Sequence, residues 1–302
     1  MDKLIINAAI TGMVPTKTDS PFVPISPEEI VADVRRCRDA GASIVHMHAR
    51  DTDGQPTYRK DIYAQILKGV REACPDVILC VSTSGRVFKT FGQRSEVLEL
   101  TDPAPEMASL TLGSMNFAKV ESVNSPDMIR SLALKMVEYD IVPEWECFDL
   151  GMVEYSHYLI NHCVLRPPFY CNLLLGSLGT LSATALNLAL MVRALPAGTT
   201  WAAAGIGRFQ FNVNSLAIAM GGHVRVGLED NLWYDDERTR LATNPDLIER
   251  LVKLAEACGR SVASPDEARE IIGLPARKSK APLQTPTQPQ SPHCRPFRSV
   301  GT

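Results

Sequence analysis

The stretch Ser43-Ile-Val-His-Met-His-Ala-Arg-Asp51 decides the fold, because it reads as a buried apolar strand that ends in polar residues. Alternate side chains of a strand point to the same side, so His46 and His48 face one direction at the strand end. Neutral imidazole is the commonest protein ligand for zinc and its neighbours, and two such rings can converge on one ion. A pair of hydrogen-bonded histidines in a packed interior is the alternative, and the rest of the chain must decide between them.

Apolar runs of strand length alternate with helical patterns along most of the chain. Strands are predicted at residues 4–10, 43–48, 77–82, 106–112, 141–148, 169–175, 199–204 and 223–228. Helices are predicted at residues 27–40, 61–73, 92–99, 126–139, 151–162, 182–194, 210–220 and 245–259. Strands that alternate with helices pair in parallel, and eight such units in about 260 residues fit a (β/α)8 TIM barrel. A doubly wound open sheet is the competing fold, but no G-x-G-x-x-G motif follows the first strand.

The chain divides into a barrel domain, residues 1–274, and a C-terminal tail, residues 275–302. The tail is rich in proline and glutamine and poor in apolar side chains. Such a segment has little to bury on folding, so we expect it to be disordered.

Charge and composition exclude several classes of function. Lys and Arg (31) nearly balance Asp and Glu (34), which argues against a nucleic-acid-binding face. No apolar run approaches the roughly 18 residues of a membrane span. The eight cysteines are scattered without a C-x-x-C pair, so we expect reduced thiols and a cytoplasmic protein rather than a zinc ribbon or a disulfide framework.

Polar residues gather where the predicted strands end, which is where barrel enzymes carry their chemistry. Strand two delivers the two histidines, and strand eight ends at Glu229. Because strands two and eight both flank strand one, Glu229 is the expected third metal ligand, and a His₂Glu set leaves coordination sites open as catalytic centres do. Glu146, on strand five, is the rival ligand. His223 begins strand eight at the opposite end of the barrel, so no chemistry is assigned to it.

Glycine-rich turns follow strands three, six and seven, where backbone amides can approach a ligand closely. Arg208 lies beside the turn after strand seven. Barrel loops of this region often hold phosphate, so the pattern favours a phosphate-bearing cosubstrate.

Several long motifs, in this order, make the chain similar to the β-keto acid cleavage enzymes. The resemblance extends over about residues 4–274. The motifs are Ala9-Ile-Thr-Gly12, Pro24-Ile-Ser-Pro-Glu-Glu29, Val45-His-Met-His-Ala-Arg-Asp51, Ser82-Thr-Ser-Gly85, Pro105-Glu-Met-Ala-Ser-Leu-Thr-Leu-Gly-Ser-Met-Asn-Phe117, Gly205-Ile-Gly-Arg208, Gly221-Gly-His-Val-Arg-Val-Gly-Leu-Glu-Asp230 and Ser264-Pro-Asp-Glu-Ala-Arg269.

The resemblance implies a TIM-barrel transferase that binds one zinc ion and assembles as a homo-oligomer, usually a tetramer. It implies condensation of a β-keto acid with acetyl-CoA to give acetoacetate and a new acyl-CoA. Residues that match family positions are the zinc ligands His46, His48 and Glu229, the substrate-binding Ser82, Gly85 and Ser109, and the polar Arg225, Asp230 and Glu146 near the reacting carbons.

Three departures from the family pattern concern substrate choice. The type member has a glutamate, which meets the substrate's amino group, where this chain has Val14. An apolar side chain cannot pair with a cation, so we expect an acid that is neutral or apolar beyond C3 rather than amino-substituted. The second departure is Thr111, which stands where the family usually has asparagine. The third is Leu178-Gly-Thr180, which replaces a more glycine-rich turn.

Two other functions remain open on the residues alone. A metal-dependent hydrolase or aldolase that does not use CoA would fit the same barrel and the same ligands. A binding or regulatory barrel that keeps its metal and turns nothing over is the second alternative. The ligand types favour zinc, although a His₂Glu set also accepts other divalent ions.

Overall fold

Eight short runs of aliphatic and β-branched residues form a closed barrel of parallel strands in the computed structural model, which describes residues 2–117 and 119–275. Each strand pairs with its neighbours in chain order, and the eighth pairs with the first. The predicted (β/α)8 barrel is therefore confirmed. The strands are β1 (Ile6–Ala9), β2 (Ile44–Met47), β3 (Ile78–Val81), β4 (Met107–Thr111), β5 (Val142–Cys147), β6 (Phe169–Leu175), β7 (Thr199–Gly205) and β8 (His223–Val226).

Helices surround the barrel, and local capping signals fix many of their first residues. Ser26 accepts a hydrogen bond from the Glu29 amide and Pro27 follows it, so the first helix begins where predicted. The helices are α1 (Pro27–Ala40), α2 (Lys60–Ala73), α3 (Phe91–Ser95), α4 (Pro126–Glu138), α5 (Leu150–Asn161), α6 (Ala185–Ala194), α7 (Gln210–Ala219), α8 (Asn244–Ala257) and α9 (Pro265–Ile272). Short 3₁₀ turns cover Glu96–Glu99 and Gly207–Phe209.

The last helix, α9, was not among the predicted elements. Ala268 and Ile272 pack with Ile5, Ile44 and other inward residues at the N-terminal end of the strands. Arg269 binds Glu106 at 2.8 Å just before β4. This helix thus closes the end of the barrel opposite the C-terminal ends of the strands, an arrangement that depends on contacts far apart in sequence.

Two short antiparallel strand pairs extend the loops at the other end. Ala49–Arg50 pairs with Pro56–Thr57 after β2, and Met115–Asn116 pairs with Glu121–Ser122 after β4. They give these two loops regular hydrogen bonding and form part of the barrel mouth.

None of the described helices combines the length and the apolar character that crossing a bilayer requires. Six described cysteines are free thiols, in line with expectation, but Cys163 is disulfide-bonded. Spacing along the chain could not indicate this, because a disulfide depends on the distance between two residues in space. The predicted disordered tail lies outside the described residues, apart from Pro275 at its start.

Candidate active site

Pairing of β1 with both β2 and β8 brings the predicted ligands together. Ala9 lies opposite His46 in the register of β1 and β2. The Glu229 amide, just after β8, donates to the Ala9 carbonyl at 3.1 Å. Gly12 permits this approach, since a Cβ there would stand 2.8 Å from the Glu229 side chain. The backbone thus fixes Glu229 beside the two histidines.

The three side chains converge with the atoms that bind metals facing one another. His46 Nε2 lies 3.3 Å from His48 Nε2 and 3.7 Å from a Glu229 oxygen, and His48 Nε2 lies 3.3 Å from the other Glu229 oxygen. Two nitrogen ligands about 2.1 Å from a tetrahedral ion are about 3.4 Å apart, so this spacing suits zinc. Glu229 Oε2 is buried without a hydrogen-bond partner. The donor set therefore fits a divalent cation.

Glu144 sets the orientation of His46. It is fully buried on β5, and its Oε2 lies 2.6 Å from His46 Nδ1. The carboxylate also accepts from Asn7 Nδ2 at 2.5 Å and from Asn172 Nδ2 at 2.8 Å. Because an ionised carboxylate only accepts, Glu144 holds a proton on His46 Nδ1, so Nε2 is the nitrogen that can act as a ligand once it is deprotonated.

Neighbouring charges and burial shift the pKa values of these groups in opposite directions. Burial acts to lower the pKa of His46, but the Glu144 and Glu229 carboxylates outweigh it and raise the pKa to about 9. Burial would raise the pKa of Glu144, but His46 and Arg225 lower it to about 2. Burial lowers the pKa of His48, which favours neutral imidazole. Glu144 is thus ionised at neutral pH.

A second group of potential ligand atoms comprises His46, Cys80 and Glu144. Cys80 Sγ lies 3.2 Å from Glu144 Oε2, the same oxygen that contacts His46. Burial raises the pKa of the Cys80 thiol well above its usual range, which keeps it protonated. This group works as a hydrogen-bonded support beneath the first set.

Arg225 is buried on β8 and is held by three carboxylates. Its guanidinium donates to Glu146 at 2.9 Å, to Glu229 at 2.7 Å and to Asp230 at 3.1 Å. Thr111 donates its hydroxyl to the other Glu146 oxygen at 2.8 Å. Burial raises the pKa of Asp230 to about 6, against the attraction of Arg225. Glu146, the rival ligand, lies outside the two groups of potential metal ligands in the described chain.

The mouth of the barrel contains a solvent-open pocket above these groups. Its volume is about 120 Å³. Val14, Ser82 and Thr111 line it, together with His48, Glu146, Arg225, Glu229 and Asp230.

Two of the predicted substrate-binding residues have packing partners and are not among the lining residues. The Ser109 hydroxyl accepts from the Thr83 amide at 3.1 Å and is buried. A Cβ at Gly85 would stand 2.6 Å from Arg94, so glycine there lets the loop after β3 pack closely. Both residues shape this loop, and their contact with substrate stays a prediction.

The other histidines in the described part of the chain make structural contacts. His223 Nδ1 accepts from the Ile5 amide at 3.0 Å. His157 and His162 contact backbone carbonyls of the helical layer at 2.8 Å. Arg208 is exposed and lies over the Phe209 ring, so its predicted contact with phosphate stays untested.

Sequence reasoning gave no role to two residues that the structure places at this site. Glu144 is the first of two glutamates spaced i, i+2 on the fifth strand. Its position further from the C-terminal end of the strand than Glu146 is the signal that could have indicated its role. Arg86 lines the pocket from the loop after β3. Its position depends on loop geometry, which strand periodicity does not reveal.

Comparison with known proteins places this architecture in a family. The model of the beta-keto acid cleavage enzyme family matches residues 3–274. A 3-keto-5-aminohexanoate cleavage enzyme of Fusobacterium nucleatum is 42% identical over 275 residues, which cover 91% of this chain and 99% of the relative. A 3-oxoadipate:acetyl-CoA acetyltransferase of Cupriavidus necator is 37% identical over 275 residues, covering 90% of this chain and 95% of the relative.

A solved structure supports the fold alone. The apo structure of ObcA superposes with a TM-score of 0.76 at 23% identity, covering 85% of this chain and 66% of that one. This similarity agrees with the barrel that the strand pairing defines.

Proposed function

Because the chain belongs to the beta-keto acid cleavage enzyme family, we propose that it condenses a β-keto acid with acetyl-CoA to give acetoacetate and a new acyl-CoA. The observation that supports this most is the convergence of His46, His48 and Glu229 beside the buried Arg225, at the floor of an open pocket. The names of relatives in the family include both a keto acid cleavage enzyme and an acetyl-CoA acetyltransferase.

The proposed exchange balances without an oxidant or reductant. C2 of the keto acid loses a proton and forms a bond to the acetyl carbonyl carbon, and the thiolate of CoA leaves. The thiolate then attacks the original C3, the bond between C2 and C3 breaks, and C2 takes back a proton. The first two carbons of the acid and the acetyl group become acetoacetate, and the rest leaves as acyl-CoA.

A divalent cation, with zinc preferred, would be held by His46, His48 and Glu229. Bound there, it would supply Lewis acidity toward the β-keto acid. Glu144 keeps the proton of His46 on Nδ1, and so keeps Nε2 available to the ion. Other divalent ions fit the same donors and are distinguished by metal analysis.

The chain's own residues account for the proton and the developing negative charge. Asp230 lines the pocket and commits only Oδ2 to Arg225, so its other oxygen is available to take the C2 proton. Both oxygens of Glu146 are occupied, by Arg225 and Thr111, which suits a positioning role. Arg225 stays cationic and, with the Ser82 hydroxyl, suits the stabilisation of oxyanions.

A metal assay combined with a screen of β-keto acids tests this function. We expect about one divalent ion per chain and turnover that requires acetyl-CoA. His46→Ala and Glu229→Ala should lose both metal and turnover. Turnover that continues without acetyl-CoA would favour a metal-dependent hydrolase or aldolase, and full activity in metal-free variants would refute the metal's role.

A homotetramer in the cytoplasm completes the proposal. The tetramer rests on the family resemblance, and light scattering of the purified protein tests it directly. The cytoplasmic location rests on the six free thiols of the described chain, although Cys163 is disulfide-bonded, and is tested by cell fractionation.

A further inference from the structure

Two arginines line the pocket in the described part of the chain, and their surroundings differ. Arg225 forms ion pairs with the three carboxylates described above, which already balance its charge and use three of its five N–H groups. Arg86 lies over the Phe117 ring, with its guanidinium carbon 3.7 Å from the ring centroid. No ion pair joins it to a carboxylate of residues 2–117 or 119–275, and its Nε is buried without a hydrogen-bond partner. Arg86 therefore has unused capacity to bind an anion.

The loop after β3 holds Arg86 in place. The Arg86 amide donates to the Ser84 hydroxyl at 3.3 Å. Arg94 secures the same loop by donating to the Thr83 carbonyl at 2.7 Å and to Asn124 at 2.7 Å. Stacking on Phe117 covers one face of the guanidinium and leaves its hydrogen-bonding edge for a ligand. The side chain is thus positioned before any ligand arrives.

A guanidinium presents paired N–H groups that match a carboxylate in a bidentate manner. Partial burial lowers the pKa of Arg86, yet leaves a permanent cation whose charge solvent screens only in part. Val14 lines the same pocket without offering a negative charge. This combination disfavours an ammonium group and favours an anion.

We propose that Arg86 binds a terminal carboxylate of the substrate, so that the preferred substrates are 3-oxo dicarboxylic acids. This inference rests on the proposed function, because it assumes that the keto acid end of the substrate faces His46, His48 and Glu229. It keeps the expectation against amino-substituted acids. It replaces the expectation of a neutral acid, because Arg86 adds a cation to the pocket that Val14 lines.

A matched set of six-carbon acids tests the assignment in the metal-loaded, full-length protein. The set comprises 3-oxoadipate, which has a terminal carboxylate, 3-oxohexanoate, which lacks it, and 5-amino-3-oxohexanoate. For the wild type we expect kcat/KM to be highest for 3-oxoadipate and lowest for the amino acid. From the strength of hydrogen bonds to charged groups, we expect kcat/KM for 3-oxoadipate to exceed that for 3-oxohexanoate by about 10- to 100-fold.

Arg86→Met removes the charge while retaining much of the apolar length. It should lower kcat/KM for 3-oxoadipate by about 10- to 100-fold and leave that for 3-oxohexanoate within about threefold. Arg86→Lys, which keeps the charge but loses the planar fork, should recover part of the difference. Arg193→Met is the control, because Arg193 is an exposed arginine in the last turn of α6 and away from the pocket.

The outcomes separate this inference from the proposed function. Turnover of all three acids at similar efficiency, with no effect of Arg86→Met, would overturn the inference and leave the function standing. A raised KM for acetyl-CoA with an unchanged ratio between acids would assign Arg86 to an anionic group of CoA instead. If no acid turns over, calorimetric binding of 3-oxoadipate and 3-oxohexanoate still decides. Equal affinities in wild type and Arg86→Met would then reject the carboxylate site.

Discussion

Replacing Glu144 by glutamine should weaken metal binding through a change in the histidine tautomer. The two side chains are nearly the same size, so the substitution tests hydrogen bonding rather than packing. Asn7 and Asn172 both donate amide protons to Oε1 of Glu144. A glutamine must therefore keep its oxygen toward these donors and turn its NH₂ group toward His46. His46 Nδ1 would then have to accept, and the ring proton would move to Nε2, which faces His48 and Glu229.

The expected magnitude follows from the role of such supporting groups at metal sites. Loss of a hydrogen-bonding partner behind a ligand typically costs about 10- to 100-fold in metal affinity, or about 1.4 to 2.7 kcal/mol. Glu144→Gln should lie toward the upper end, because the amide opposes the ligating tautomer instead of merely failing to support it. Competition with a chromophoric zinc chelator measures the dissociation constant directly.

Glu106→Gln is the matched control for this substitution. Glu106 is a glutamate that also accepts hydrogen bonds, from Arg71 and Arg269, but it precedes β4 at the opposite end of the barrel. Its replacement should leave zinc affinity unchanged. A Glu144→Gln protein that folds normally and binds zinc as tightly as the wild type would refute the tautomer argument.

Three further predictions concern substrate choice and stability. Val14→Glu places a carboxylate beside the pocket, and should raise kcat/KM for 5-amino-3-oxohexanoate relative to 3-oxoadipate. An unchanged ratio would show that residue 14 does not determine substrate specificity. Burial and Arg260 lower the pKa of His223 to about 3. The neutral imidazole therefore stabilises the folded state fully above pH 6.5, and this stabilisation is lost as the pH falls toward 3. Between pH 7 and pH 5 this loss is about 2 kcal/mol. His223→Gln should therefore lose less free energy of unfolding over this pH range, as measured by urea unfolding. An equal loss in the variant and the wild type would contradict the prediction. Gly222→Ala would bring a Cβ to 2.1 Å from Trp201, and should lower stability by about 1 to 3 kcal/mol, whereas Gly92→Ala, which meets nothing within 4 Å, should not.

The order of elements and the convergence of His46, His48 and Glu229 could be predicted from sequence, because both follow from periodicity and strand adjacency. Alternation fixes the shared direction of His46 and His48, and barrel closure brings Glu229 beside β1. The same reasoning could not rank Glu144 and Glu146. Both point inward, and chain order places Glu144 deeper, but only the register shows the neighbours of each: Glu144 lies opposite Ser109 and Glu146 lies opposite Thr111.

The periodicity of apolar residues does not predict loop conformations or contacts between residues far apart in sequence. Arg86 is placed by a loop whose path depends on Arg94 and on the close packing at Gly85. The α9 helix has clear capping at Ser264, yet its place beneath the barrel follows from burial of Ala268 and Ile272 against residues from distant strands. Such contacts become visible only when the whole barrel is assembled.

Carbon labelling tests the proposed exchange most directly. The metal-loaded protein is incubated with a β-keto acid and acetyl-CoA carrying ¹³C at the thioester carbonyl, and the products are followed by NMR. The proposed chemistry predicts that the label appears at C3 of acetoacetate, in step with formation of the new acyl-CoA. Consumption of the keto acid with the label remaining in acetyl-CoA, or released as acetate, would contradict it.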